Sequence, residues 1–209
     1  MAITVVGNLK GGTGKSTVAF NLSLWVATNR NAYVSVYDLD PQATLTDAFE
    51  IRTEDGYVPA ITPHNNIAEL KSEGKNTEIV IDIGMSDPTA MEAALKAADR
   101  IVVPIAPSQA DVWSTQRFLK LIEKARAGSK AKAVDVIGFM NRSDTHHGVR
   151  ETDEAFAAMK TLSGIKMLEC KLYQRTIYRR SFSEGLAVFE LDGRSKAKEE
   201  LDLLGNSLY

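Results

Sequence analysis

Short runs of apolar residues alternate along the chain with longer segments in which apolar residues recur at helical spacing. The first run, residues 2–8, predicts a strand, and a glycine-rich turn separates it from a predicted helix over residues 16–27. Further strands are predicted over 33–37, 78–83, 100–105, 134–140 and 166–172, and further helices over 88–98, 114–127, 151–162 and 195–204. This alternation predicts an α/β fold of three layers, a mostly parallel, twisted sheet with helices on both faces.

No repeat, low-complexity segment or long linker interrupts the pattern, so we expect residues 1–209 to form one domain. Residues 53–66 are polar and contain proline, and we expect them to form an ordered excursion from the sheet. Ligands of open parallel sheets bind beyond the carboxyl ends of the strands. The candidate chemistry of this chain should therefore lie in the turns that follow its strands.

Composition adds few constraints. The chain is 44% hydrophobic and 25% charged with a net charge of -2, so any contact with nucleic acid requires a local basic patch. Its single cysteine, Cys170, excludes an intrachain disulfide and a Cys-x-x-Cys site. No apolar stretch approaches the ~20 residues of a membrane span. We therefore expect a cytoplasmic protein that is not attached to membranes.

The turn after the first strand has the composition of a phosphate-binding loop. Residues 10–17 read Lys-Gly-Gly-Thr-Gly-Lys-Ser-Thr, and Gly11, Gly12 and Gly14 allow backbone N–H groups to converge on an anion at a helix N-terminus. In a loop ending Gly-Lys-Ser/Thr, Lys15 reaches the β- and γ-phosphates and Ser16 binds Mg²⁺. The sequence therefore predicts that residues 10–17, including Thr13 and a second hydroxyl at Thr17, bind ATP with Mg²⁺ in a P-loop NTPase fold.

A dinucleotide-binding loop is the alternative for this turn. Gly12 and Gly14 follow a strand, and Asp38 ends the next strand at nearly the expected distance. However, Thr17 stands where that fingerprint requires its third glycine, and Lys15 and Ser16 have no role in it. The residues therefore favour the P-loop.

Acidic residues end two further strands. Asp38 and Asp40 follow the strand over 33–37, and their alternation places both carboxylates on one side. Asp82 ends the apolar run 79–81, as a Walker B acid does when a strand delivers a carboxylate to a magnesium ion. These three acids are predicted to lie beside the P-loop at one edge of the sheet.

Lys10 gives the loop a more specific resemblance. The string Lys-Gly-Gly-x-Gly-Lys-Ser/Thr resembles the deviant Walker A motif of the ParA/MinD superfamily. This resemblance implies an ATPase that forms a sandwich homodimer around ATP, in which Lys10 crosses the interface to the partner's nucleotide. A lysine in that place would neutralise charge that develops during phosphoryl transfer.

The resemblance also assigns roles to other residues. Residues 38–42, Asp-Leu-Asp-Pro-Gln, resemble the switch I segment of that superfamily, which implies that Asp40 activates water and Asp38 supports the metal together with Ser16 and Asp82. Asn141 stands where an asparagine reads adenine. Lys10, Lys15 and Asp40 are thus the predicted catalytic residues.

A basic segment lies near the end of the chain. Lys171, Arg175, Arg179 and Arg180 fall within residues 166–180, which hold one acid, and three of them lie at helical spacing. Residues 173–190 resemble the C-terminal part of small ParA proteins, which implies ATP-dependent binding of nonspecific DNA, association with the nucleoid and stimulation by a cargo-bound adaptor. Without a helix-turn-helix segment before Lys10, the chain resembles the short members, most of all the carboxysome-positioning McdA branch.

Other members and relatives of this superfamily fit less well. A P-loop ligase of the dethiobiotin synthetase type shares the loop and sheet but does not require Lys10. A MinD-like membrane protein would need a basic amphipathic helix at its end, whereas residues 199–207 are acidic and polar. Relatives of the nitrogenase iron-protein type need cysteines that bind an iron–sulfur cluster, and the bacterial tyrosine kinases need a cluster of tyrosines at the end of the chain. The sequence has neither. His146 and His147 are adjacent histidines of a polar loop and are more typical of solvated residues than of a metal site.

Overall fold

A central sheet of parallel strands forms the core of the computed structural model, which describes residues 2–128, 133–146 and 150–209. The sheet has six strands in the order β2-β3-β1-β4-β5-β6. The strands are β1 (Ala2–Val6), β2 (Tyr33–Asp38), β3 (Thr77–Asp82), β4 (Arg100–Ile105), β5 (Asp135–Ser143) and β6 (Lys166–Tyr173). All strand pairs between neighbours in this order are parallel, as the sequence predicts.

The register of the sheet brings the predicted acids together. Asp82 at the end of β3 pairs with Asp38 of β2 on one side and with Val6 of β1 on the other. Since β1 leads directly into the glycine-rich turn, both acids lie beside that turn at the carboxyl edge of the sheet.

Helices cover both faces of the sheet. They are α1 (Lys15–Asn29), α2 (Thr44–Glu54), α3 (Pro88–Ala97), α4 (Gln109–Arg126), α5 (Glu151–Lys160), α6 (Thr176–Ser183), α7 (Val188–Leu191) and α8 (Lys196–Leu208), with a 3₁₀ helix over Ile67–Ser72. Side chains of α1, α2, α7 and α8 pack on one face and those of α3, α4 and α5 on the other. Along β3, Val80 faces the first layer while Ile79 and Ile81 face the second, which is the alternation of a strand buried on both faces.

Capping residues set several helix starts. Asp87 accepts hydrogen bonds from the backbone N–H groups of Thr89 and Ala90 at the start of α3, where the sequence predicts a helix start. Ser108 caps α4 through the N–H of Asp111, so this helix begins at Gln109 and not at residue 114 as predicted. Ser195 likewise caps α8, which continues to Leu208, beyond the predicted end at 204.

Helix α2 is absent from the sequence-based prediction, although its apolar residues recur at helical spacing. Leu45, Ala48, Phe49 and Arg52 are buried at spacings of three and four, as on the inner face of a helix. The segment 53–66 that follows is ordered as expected: the N–H of His64 donates to Val36 and its carbonyl accepts from Asp38, both over 2.9 Å. These bonds cover the outer edge of β2.

Candidate nucleotide-binding site

The glycine-rich turn adopts the backbone that an anion-binding loop requires. Gly12 and Gly14 have φ angles of 76° and 88°, in the left-handed region that residues with side chains rarely adopt. Helix α1 begins at Lys15, directly after Gly14, and no side chain caps its first N–H groups. These N–H groups are therefore free to bind phosphate oxygens.

Asn141 and Arg142, near the end of β5, bind the backbone carbonyls of the loop. The side-chain amide of Asn141 donates to the carbonyl of Thr13 over 2.6 Å, and the guanidinium of Arg142 donates to the carbonyl of Gly12. A Cβ atom on Gly14 would lie 2.6 Å from the Asn141 amide nitrogen, so this approach requires glycine. Fixing the outward carbonyls keeps the N–H groups of the loop pointing inward, toward the phosphate position.

A cavity of about 440 Å³ opens above the loop. Its walls include Lys15, Ser16, Thr17 and Asp40, so the structure brings together the predicted P-loop residues and the predicted catalytic acid. Within residues 2–128, 133–146 and 150–209, Lys15 has neither an ion pair nor a side-chain hydrogen bond. Its charge is therefore available to a ligand.

Asp82 is the most unusual acid of the site. Its side chain is 1% exposed, and neither carboxylate oxygen has a hydrogen-bond partner in the part of the chain that the structure describes. Burial raises its pKa to about 7, an effect that nearby Asp38 strengthens and that Ser16 and Lys15 oppose. A buried carboxylate whose charge only Ser16 and Lys15 offset is suited to bind a cation.

Asp38 is buried too, but its oxygens are in use. One oxygen accepts from the N–H and the hydroxyl of Thr46 over 2.9 Å each, and the other accepts from the N–H of Asp40. These bonds tie the first turn of α2 to the end of β2. A metal contact by Asp38 therefore stays a prediction, and its observed contacts hold residues 38–46 together.

Asp40 contacts the segment that follows β3. Its carboxylate lies so close to Gly84 that a Cβ atom on this glycine would be 2.4 Å from Asp40 Cγ. Gly84 has no role in the sequence-based prediction, because the small size of this residue matters only once β2 and β3 lie side by side. This glycine lets the carboxylate point into the cavity.

The donor set fits a magnesium ion. Mg²⁺ prefers oxygen ligands and is usually held by one or two protein groups together with phosphate oxygens and water. The Ser16 hydroxyl and the orphaned carboxylate of Asp82 supply such groups beside the cavity. By contrast, no group of three or more His, Cys, Asp and Glu side chains suited to a metal exists within the described ranges, and His147 lies outside them.

Lys10 points away from the P-loop cavity, toward α4. Its ammonium nitrogen lies 2.5 Å from Asp111, whose side chain is 1% exposed, and 3.4 Å from the Ser108 hydroxyl. Asp111 has no role in the sequence-based prediction. In this single chain, Lys10 thus has a partner within its own protomer.

A second cavity, of about 270 Å³, continues from the P-loop toward α6. Its walls are formed by Gly14, Thr17, Asn141 and Arg142 on the loop side and by residues 172–176, 178 and 179 on the other. Asn141 lines this cavity while its side-chain amide bonds the loop, and an adenine contact of Asn141 stays a prediction.

The predicted DNA-binding residues differ in their surroundings. Arg175 is bound to the buried carboxylate of Glu200 over 2.7 Å, Lys171 to Asp153 over 2.8 Å and Arg180 to Glu184 over 2.9 Å. Arg179 is exposed and has no ion pair in the described part of the protein. Arg175 therefore does not share one solvated face with Arg179 and Arg180, because its guanidinium turns inward to α8.

Helix α8 buries its apolar side. Leu201, Leu204 and Leu208 pack into the core layer that includes α1, and Trp25 of α1 donates to Asp202 over 2.8 Å. Among the described helices, none combines the length and apolar character that crossing a membrane requires.

Known nucleotide-binding proteins are similar to this chain. A family model described as the CobQ/CobB/MinD/ParA nucleotide binding domain matches residues 4–188. The "Maintenance of carboxysome distribution protein A" of Halothiobacillus neapolitanus is 29% identical over 212 residues, covering 97% of this chain and 94% of that protein.

Two solved structures share the fold. Apo McdA from Cyanothece superposes with a TM-score of 0.80 at 21% identity and covers 100% of both chains. An ATP complex of McdA from Cyanothece has a TM-score of 0.77 at 20% identity and covers 100% of this chain and 96% of that one. These matches confirm the predicted P-loop NTPase fold.

The family match confirms the resemblance drawn from Lys10 and the glycine-rich loop. It spans the loop, Asp38, Asp40, Asp82 and the walls of both cavities. The chain therefore belongs to the CobQ/CobB/MinD/ParA family of nucleotide-binding domains.

Proposed function

We propose that this protein is a positioning ATPase of the ParA type, formed by one P-loop domain. ATP joins two copies into a sandwich dimer, the dimer binds DNA without sequence preference, and a cargo-bound adaptor stimulates hydrolysis and release. The observation that carries the proposal is the pair of lysines, Lys10 and Lys15, on the two sides of one glycine-rich loop.

The loop and its neighbours supply the chemistry of ATP hydrolysis. Lys15, free of protein partners in the described ranges, binds the β- and γ-phosphates together with the N–H groups at the start of α1. Ser16 and Asp82 would hold Mg²⁺, which supplies positive charge at the phosphate oxygens when it is bound. Asp40, which lies over Gly84 and lines the cavity, orients the attacking water.

Dimerisation requires Lys10 to exchange partners. In the single chain its ammonium group lies on Asp111, on the far side of the loop from the P-loop cavity. A triphosphate bound by a second protomer offers more negative charge than one carboxylate, so the lysine moves to it when two ATP-loaded chains meet. ATP therefore favours the dimer more than ADP does.

DNA binding is assigned to Arg179 and Arg180 on α6. Arg179 is exposed without an ion pair in the described residues, and the Arg180–Glu184 pair is exposed and weak, so both guanidinium groups are available to phosphates. A relative named for carboxysome distribution makes a protein organelle the cargo we propose.

The proposal is tested by titrating duplex DNA of arbitrary sequence with the protein in ATP, in ADP and without nucleotide. We expect tight, salt-dependent binding in ATP alone. Changing Arg179 and Arg180 to glutamate should weaken it strongly and flatten the salt dependence of the remaining binding by about two units of slope, while Lys120→Glu with Lys124→Glu on α4 serves as the charge-matched control. Equal, weak binding in all nucleotide states would contradict DNA binding and favour the small-molecule ligase.

A further inference from the structure

Arg142 occupies an unusual position at the end of β5. Its φ angle is 57°, in the left-handed region, and the pairing of β5 with β6 shifts register between Met140 and Ser143 around it. A left-handed conformation is unfavourable for arginine, and such strain is concentrated at ligand-binding sites. With this backbone conformation, the side chain of Arg142 lies over the glycine-rich loop.

The guanidinium group of Arg142 is only partly used. One of its nitrogens donates to the carbonyl of Gly12, and the residue is otherwise exposed. An arginine has five N–H donors, and in the part of the chain that the structure describes the others have no partner. A charged, planar donor group therefore remains available above the loop.

Arg142 also stands where the two cavities of the site meet. Gly14, Thr17 and Arg142 line both the cavity above the P-loop and the cavity toward α6. Lys15 and Ser16, which lie in the first cavity only, take the β- and γ-phosphates. A nucleotide with its base in the second cavity must therefore place its α-phosphate beside Thr17 and Arg142.

We infer that Arg142 is a further nucleotide-binding residue. One guanidinium nitrogen holds the Gly12 carbonyl, and the remaining N–H groups contact the α-phosphate. A guanidinium matches phosphate oxygens in a bidentate way, which an ammonium group does not. The inference rests on the proposed function, since it requires this site to bind a nucleoside phosphate.

The test compares the wild type with Arg142→Asn and Arg142→Lys by calorimetric titration with ADP and ATP. Asparagine tolerates the left-handed backbone, so the Asn variant should unfold within a few degrees of the wild type. We expect Arg142→Asn to bind both nucleotides about tenfold more weakly and Arg142→Lys to recover part of the loss. Because ADP and ATP share the α-phosphate, both affinities should fall equally.

A second measurement separates a direct contact from a role in holding the loop. Replacing one α-phosphate oxygen by sulfur, in each stereoisomer of ADPαS, should weaken binding to the wild type in at least one isomer and weaken binding to Arg142→Asn less, because only the Thr17 side of the contact remains. A thio effect of equal size in both proteins, a loss confined to ATP, or an ADP affinity within twofold of wild type would overturn the inference. Failure of the wild type to bind ADP would instead overturn the proposed function.

Discussion

Two buried ionisable side chains in this molecule differ in how many hydrogen-bond partners the protein gives them. Arg52 on α2 is fully buried and donates to the carbonyls of Val58, Pro59 and Gly185 and to both oxygens of Glu190. Asp82 is equally buried and has no hydrogen-bond partner in the described ranges. A charge that serves the fold is satisfied by the protein, whereas a charge at the ligand site is left for the ligand.

The same contrast separates Lys15 from Lys10. Lys15 has no ion pair in the described residues, while Lys10 is held by Asp111. The nucleotide site thus combines groups that await a ligand with one group that already has a partner and must leave it. The following changes test whether partnered and unpartnered charges behave as this comparison requires.

The largest effect is expected from Lys15→Ala. Removing the ammonium group should weaken ADP and ATP binding by at least about 100-fold, because a buried charge pair with phosphate is lost. The free energy of unfolding without nucleotide should fall by no more than about 1 kcal/mol, since Lys15 has no hydrogen bond or ion pair among the described residues and only its attraction to Asp82 is lost. Calorimetric titration and urea unfolding measure the two quantities. A large loss of apo stability would show that Lys15 supports the fold.

Arg52→Met should reverse this pattern. It leaves three carbonyls without this donor and the Glu190 carboxylate with only the N–H of Ala187, and it should cost about 3–5 kcal/mol of unfolding free energy. Nucleotide affinity of the folded fraction should change less than threefold. Arg30→Met, in which an exposed arginine loses a hydrogen bond to Asn206 and a cation–π contact with Trp25, is the control and should cost about 1 kcal/mol or less. Equal costs for Arg52 and Arg30 would contradict a structural role for the cluster.

Asp82→Asn and Asp38→Asn should have opposite effects on stability. Folding raises the pKa of Asp82 from 3.8 to about 7, so the native state retains a proton that the unfolded chain has lost. Stability due to this group therefore falls as pH rises from about 4 to about 7, and the penalty persists above pH 7. At pH 8, Asp82→Asn should stabilise the apo protein by about 2 kcal/mol, less than the ~4 kcal/mol that three pKa units allow, since a buried amide also costs desolvation.

Asp38→Asn should instead destabilise the apo protein by about 1–2 kcal/mol at pH 8, because the bonds from Thr46 lose their charged acceptor. Urea unfolding at pH 5 and pH 8 measures both variants. The Asp82→Asn gain should shrink at pH 5. A gain that is the same at both pH values would show that the carboxylate is not the source of the penalty.

Gly84→Ala should have a small effect on stability and a specific effect on turnover. The added methyl group must displace the Asp40 carboxylate, which should lower ATP hydrolysis about tenfold and cost about 1 kcal/mol of stability. Nucleotide affinity should remain within twofold. Gly193→Ala, where an added Cβ meets its nearest neighbour at 3.5 Å, is the control and should keep full turnover.

Local patterns predicted the strands, the glycine-rich loop and the acids at the strand ends, because each depends on a few neighbouring residues. Helix α2 shows the same kind of pattern, but most of its residues are polar, and the sequence-based prediction did not include it. Helix α7 has four residues and is too short to produce a period.

Contacts between distant residues could not be predicted in this way. Lys10 and Asp111, Arg52 and Glu190, and Asp40 and Gly84 meet only after the sheet and its helices have assembled. The inward turn of Arg175 has the same origin, since Glu200 lies 25 positions away on α8. Charge and spacing alone therefore overestimated the basic surface on α6.

The exchange of Lys10 from Asp111 to a partner's nucleotide is tested most directly by the mass of the protein in solution. Sedimentation with Mg²⁺ would compare Asp40→Ala, which should hold ATP without hydrolysing it, with the double variant Lys10→Ala, Asp40→Ala. We predict about twice the 22.9 kDa chain mass for the single variant in ATP, the chain mass in ADP, and the chain mass for the double variant in both. A single variant that stays monomeric in ATP, or a double variant that dimerises equally well, would contradict the account.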